Sequence, residues 1–98
     1  MERFIAVVSG DSMWPTYNEG QRLVCESSNE LLVVGAVIVF QHPLHSAVKA
    51  IKRVVSIEQD LIFVEGGDHP DPTSSDDSHN FGKIPRSSVL GVVVDDAP

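Results

Sequence analysis

The sequence predicts an all-β domain, and three observations carry that prediction. Its apolar runs are short and rich in valine and isoleucine, turn residues separate them at close spacing, and no stretch of useful length keeps the period of an amphipathic helix. The runs that read as strands are Phe4–Val8, Arg22–Glu26, Val33–Phe40, Val48–Ile57, Leu61–Glu65 and Val89–Val94.

Turn chemistry bounds them in order. Phe4–Val8 runs into Ser9-Gly10, and at most one turn of helix follows Ser12. Asn18-Glu19-Gly20 precedes Arg22–Glu26, and His42-Pro43 closes Val33–Phe40. Gln59-Asp60, between Val48–Ile57 and Leu61–Glu65, reads as a hairpin tip, and Gly66-Gly67-Asp68 ends the last of that pair. Gly66 to Asn80 has no strand character and carries Asp68, Asp71, Asp76 and Asp77. A polar loop of that length inside a small domain is uncommon and is usually functional or disordered. The expected architecture is a small barrel or a pair of packed sheets with one long polar loop.

Ninety-eight residues suit one domain, 1–98, since a second core would leave each half too small to stand alone. Apolar residues at 42% and charged residues at 21% are ordinary globular values and argue against a disordered chain. Seven basic residues against fourteen acidic ones give a net charge of −7, so nucleic acid and anionic membrane surfaces are disfavoured partners. The single cysteine, Cys25, cannot form an internal disulfide and reads as a small hydrophobe of its strand, which fits a reducing compartment. The longest apolar run, Leu31 to Phe40, is about half of what a membrane helix needs. Nor does Met1 to Ser9 have the form of a signal peptide. The expected location is cytoplasmic, or membrane-associated if an anchor precedes Met1.

Lys52 is the first residue that asks for chemistry. Alternate residues of a strand share a face, so Val48, Ala50, Lys52 and Val54 form one set and Lys49, Ile51, Arg53 and Val55 the other. A lysine on an apolar face either snorkels to water, pairs with a carboxylate, or loses its proton. Bringing an amine from about 10.4 to near 7 means disfavouring its charged form by roughly 4–5 kcal/mol, within the documented range for burial. A neutral amine there is a competent general base.

Ser9-Gly10-Asp11-Ser12-Met13-Trp14-Pro15-Thr16 follows directly on a strand. Gly10 lets the backbone bend, Pro15 discourages continuation of a sheet, and such a turn can present the Ser12 hydroxyl beside backbone N–H groups suited to an oxyanion. It is not the hydrolase elbow G-x-S-x-G, because Trp14 takes the place of the second glycine. It is not S-x-x-K either, because Pro15 stands where that lysine would be.

The segment Gly10-Asp11-Ser12-Met13-Trp14-Pro15-Thr16 resembles the G-x-S-M-x-P-T nucleophile box of the type I signal peptidases. Lys52-Arg53-Val54-Val55 resembles their K-R-V-V base box. Gly67-Asp68 with Ser75-Asp76-Asp77-Ser78 and Phe81-Gly82 resembles their G-D-N…S-x-D-S-R-x-x-G box, and Val89–Val94 their closing strand. The boxes stand in family order and span about residues 8–94. The resemblance implies a Ser-Lys serine endopeptidase on a signal-peptidase or repressor-type protease core, with no cofactor and no metal. Ser12 would be the nucleophile and Lys52 the base that takes its proton. The Ser12 N–H and the backbone around Gly10 would hold the oxyanion, Ser75 would orient the Lys52 amine, and Asp77 would pair with Arg53. Met13 and Pro15 would line the pocket beneath the scissile residue, where the family prefers small side chains. The partner is a precursor polypeptide bound as an extended strand.

Departures narrow the reading. His69 replaces the asparagine of G-D-N, His79 replaces the arginine of D-S-R, and the spacing from Asp68 to Asp77 is longer than in many relatives. The transmembrane anchor and large accessory β-domain of many signal peptidases have no counterpart in the sequence. With His42-Pro43 ahead of the base strand, the chain resembles the nickel-type superoxide dismutase maturation proteases, which implies removal of a short leader from a dismutase precursor. Alternatives stay open. The self-cleaving SOS-response repressor and mutagenesis-protein family shares S-G-x-S-M and an apolar-strand lysine, and an inactive peptide-binding β domain would also carry these boxes. Among the four histidines, the nearest pair, His42 and His45, lacks the spacing of a zinc motif, and none occupies the base box.

Overall fold

β-branched side chains lose little on a pleated surface and pack well there, which is why the valine- and isoleucine-rich runs become strands. A computed structural model describes residues 2–9, 13, 16–45, 47–66 and 77–97, the Asn80 side chain excepted. Gly10, Ser12, Pro15 and Ser75 lie outside the described residues. The strands are β1 (Arg3–Val7), β2 (Arg22–Glu26), β3 (Val37–Gln41), β4 (Lys49–Glu58), β5 (Leu61–Glu65), β6 (Ile84–Pro85) and β7 (Val89–Asp96). One helical turn, α1 (Ser78–Phe81), follows β5.

All seven strands join one antiparallel sheet in the order β1-β2-β7-β3-β4-β5-β6. The fold is all-β, as the apolar pattern predicts. Register shifts at Val24/Cys25, Val39/Phe40 and Val54/Ser56 add twist at three places. The shortest dimension of the molecule is 25 Å against 32 Å for the longest, so the sheet coils around its own core. β3 sits at the centre of that coil, with Val37 to Phe40 all buried. Its Ile38 and Phe40 join Val54, Ile62, Val64, Ile84 and Val92 on one side, while Val39 joins Val8, Leu23 and Cys25 on the other. Cys25 is fully buried, and burial pushes its thiol up from the ordinary value against a smaller opposing effect of a backbone hydrogen bond with Ala6. It packs as a small hydrophobe.

The largest difference from expectation is the start of β3, at Val37 rather than Val33. Gly35 takes a φ of +94° and Ala36 N–H bonds back to the Val33 carbonyl at 3.0 Å, so residues 33–36 make a turn. Val33 and Val34 stand exposed on it. Hydrophobicity alone does not reveal a turn made of apolar residues. The polar segment after β5 also ends earlier than expected: α1 begins at Ser78, capped by Asp77, whose side chain accepts from His79 N–H at 2.9 Å.

Candidate active site

The site is built where β1 ends and β4 begins. Val8 N–H donates to the Gln21 carbonyl and Gly20 N–H to the Val8 carbonyl, at 2.9 and 2.8 Å. These bonds clasp the stem from which the Ser12 segment leaves and to which it returns. Beyond Ser12, Tyr17 N–H donates to the Met13 carbonyl at 2.9 Å. Met13 is buried at 2% exposure.

Across from this stem lies β4. Its register sets Ile38 opposite Lys52, Phe40 opposite Ala50 and Gln41 opposite Lys49. Lys52 therefore falls in the inward row with Ala50 and Val54, and it is only 6% exposed. The alternation read from the sequence holds in part: Lys49 and Val55, from the opposite set, are exposed, but so is Val48 of the inward set, and Ile51 packs against the second core cluster.

β4 is longer than either neighbour on its outer side. β3 opposes residues 49–53, but the β5 ladder begins only at Arg53. Val54 N–H donates to the Ala36 carbonyl, and the Val48 carbonyl accepts from His42 N–H. In an antiparallel ladder, residues 48, 50, 52 and 54 thus bond toward the β3 side, and the backbone groups of Lys49 and Ile51 turn the other way. That edge borders a cavity of about 200 Å³ lined by Val7, Val8, Ser9, Met13, His42 and residues 48–52. Lys52 and Met13, the chain neighbour of Ser12, share its wall.

His42 is the residue the sequence reading did not place here. It is buried at 6% exposure, its Nδ1 accepts from Leu44 N–H at 3.1 Å, and its ring meets Phe81 edge-on at 5.0 Å and His45 at the same distance. A neutral ring with Nδ1 so engaged carries its proton on Nε2. Its position directly after the buried β3 run is the signal in the sequence that points to it. Among the described residues no group of His, Cys, Asp or Glu is arranged to hold a metal ion.

Arg53 and Asp77, the other expected site residues that are described, lie near the middle of β4 and after β5. Arg53 donates to the Gly35 carbonyl at 3.0 Å and stands opposite Glu65 on β5. Asp77 is buried at 5%, and besides capping α1 it accepts from Gly66 N–H at 3.2 Å. Ser78, also buried, accepts from Val64 N–H at 2.9 Å. Asp77 and Ser78 thus close the neck of the segment between Gly66 and Asp77.

No helix among the described residues is long and apolar enough to cross a membrane. No curated protein matches the chain. The family profile described as signal peptidase, peptidase S26, matches residues 4–69, which include the Ser12 segment, β3 and all of β4 and β5. With two thirds of its length matched, including both the stem and the buried lysine of the cavity, the chain belongs to the signal peptidase family, peptidase S26.

Proposed function

We propose that this protein is a serine endopeptidase in which Ser12 is the nucleophile and Lys52 the general base. The observation that carries the reading is Lys52 itself: a lysine 6% exposed, in the inward row of β4, on the wall of the cavity that Met13 also lines. Burial disfavours the ammonium form, and a neutral amine is the state a base needs. Lys52 takes the Ser12 hydroxyl proton as Oγ attacks the scissile carbonyl. The oxyanion falls to backbone N–H groups around Gly10 and Ser12. The Lys52 ammonium then returns the proton to the leaving amine, which departs as the new N-terminus. Water, deprotonated in turn by Lys52, hydrolyses the acyl-enzyme and frees Ser12 with a carboxylate product. Ser75 orients the amine, and Arg53 and Asp77 tie the base strand to the segment that carries Ser75.

The substrate is a precursor polypeptide that enters as an extended strand along the open edge of Lys49–Lys52, with Val7–Ser9 on its other side. A cavity near 200 Å³ floored by Ala50 suits small side chains beneath the scissile bond. We assign the reaction to removal of a short N-terminal leader, with a nickel superoxide dismutase precursor as the first substrate to test. Mass spectrometry of that precursor after incubation with wild type, Ser12→Ala and Lys52→Met decides it. A precise cut by wild type alone is the expected result. An intact precursor with wild type rejects this substrate, and cleavage that survives Lys52→Met rejects the dyad.

A further inference from the structure

The described residues join α1 to the edge of β5 by consecutive contacts. Val64 N–H bonds to Ser78 Oγ at 2.9 Å and Gly66 N–H to Asp77 Oδ2 at 3.2 Å. Between them, the Glu65 carboxylate reaches His79 Nε2 at 2.6 Å, and Phe63 meets the imidazole edge-on at 5.0 Å. Two of these rungs are buried, whereas the Glu65–His79 rung is exposed and titrates. Asp77 also binds His79 N–H at 2.9 Å, so the rungs share a residue.

We propose that Glu65 and His79 are positioning residues that fasten the neck of segment 66–77 to β5, the ladder neighbour of the base strand, while the imidazole is protonated. The charged groups around the ring support this. Glu65 faces it from β5, Asp77 from the start of α1, and Arg53 on β4 stands across the ladder from Glu65. Among the described residues one guanidinium and two carboxylates stand there, and a protonated imidazole adds a second positive charge. The hydrogen bond to Glu65 is the largest effect and raises His79 above its ordinary value of 6.5; desolvation opposes it, and the fields of Asp77 and Glu65 add to the rise. A raised value means that the contribution is complete below about 6.5 and is lost as pH climbs through the folded-state value. Arginine at position 79 would keep its charge throughout, so the histidine converts a permanent fastening into one that loosens toward alkaline pH. The pair is substantially exposed, so the effect on the neck is about twofold.

The effect on activity rests on the peptidase reading; the clamp does not, and the test separates them. In the full-length, isotope-labelled chain, NMR titration should show the His79 ring changing state above pH 6.5 with the Gly66 amide following the same midpoint. Glu65→Gln should bring the His79 midpoint down. A Gly66 amide that ignores the transition, or a midpoint unmoved by Glu65→Gln, overturns the clamp. On a leader peptide, the ratio of His79→Arg to wild-type kcat/KM should rise about twofold between pH 5.5 and 8.5. A flat ratio overturns the positioning role. Should neither protein cut any peptide, the peptidase reading fails, and the NMR titration still decides the clamp.

Discussion

Lys52 stands directly across the β3–β4 ladder from Ile38, so a primary amine occupies a row that otherwise closes an apolar core. Stability alone does not explain it, because taking an ammonium group out of water costs free energy that an apolar side chain of similar length would not. Lys52→Met should cost roughly 10²- to 10⁴-fold in kcat/KM, the range of a lost general base, while the protein stays folded at the assay temperature. Peptide cleavage and thermal denaturation on the same sample check both halves. A large fall in melting temperature would make Lys52 a structural residue instead.

The same burial sets a pH dependence. The amine must be neutral to accept the Ser12 proton, so kcat/KM should climb with pH along an acid limb of unit slope and then level. Activity is lost as pH falls, because protonation removes the base. A profile without slope between pH 5 and 9 contradicts Lys52 as base.

How much of this was legible in the sequence differs by residue. Alternation places Lys52 inward because β4 keeps an unbroken register with β3 from Lys49 to Arg53, and a period of two survives there without knowledge of the partners. The start of β3 was misplaced because Gly35 turns the chain within an apolar run, and a positive φ is decided by local backbone rather than hydrophobicity. β6 is two residues long and exists only through its pairing with Leu61 and Ile62, which no local pattern announces. His42 was missed as a cleft wall because its neighbours there, Met13 and Lys52, are distant in sequence. Ser78 belongs to a motif legible in the sequence, yet its task, satisfying Val64 N–H, depends on where β5 ends.

That task makes Ser78 a stability residue. Ser78→Ala leaves Val64 N–H buried without its partner, a loss of about 1–3 kcal/mol. Urea unfolding should show it as a lower midpoint with an unchanged slope. A midpoint within error of wild type would mean that the hydroxyl contributes nothing at the neck.

Gly91 shows the same dependence on tertiary neighbours. A Cβ built on it would lie 2.6 Å from the Phe4 ring and 3.1 Å from the Glu26 carbonyl, so the ring of β1 rests against β7 over a position that must stay bare. Gly91→Val should destabilise by about 1–3 kcal/mol through overpacking, and Phe4→Leu in the same chain should recover part of the loss. Additive losses in the double variant would show that ring and glycine do not meet.

The open edge of β4 yields the prediction that bears most directly on substrate. The backbone groups of Lys49 and Ile51 face away from β3, and the β5 ladder does not reach them. A strand laid there would bond to both, with Val7, Val8 and Ser9 beyond it. Each neutral hydrogen bond is worth about 1 kcal/mol net, so methylating one substrate amide that faces β4 should raise KM roughly fivefold or more. Methylating the next amide along, which points away from that edge, should change it far less. A leader peptide scanned one N-methyl at a time should therefore give KM values that alternate with a period of two. Uniform penalties along the peptide would show that the substrate is held by its side chains alone and that the edge is left unpaired.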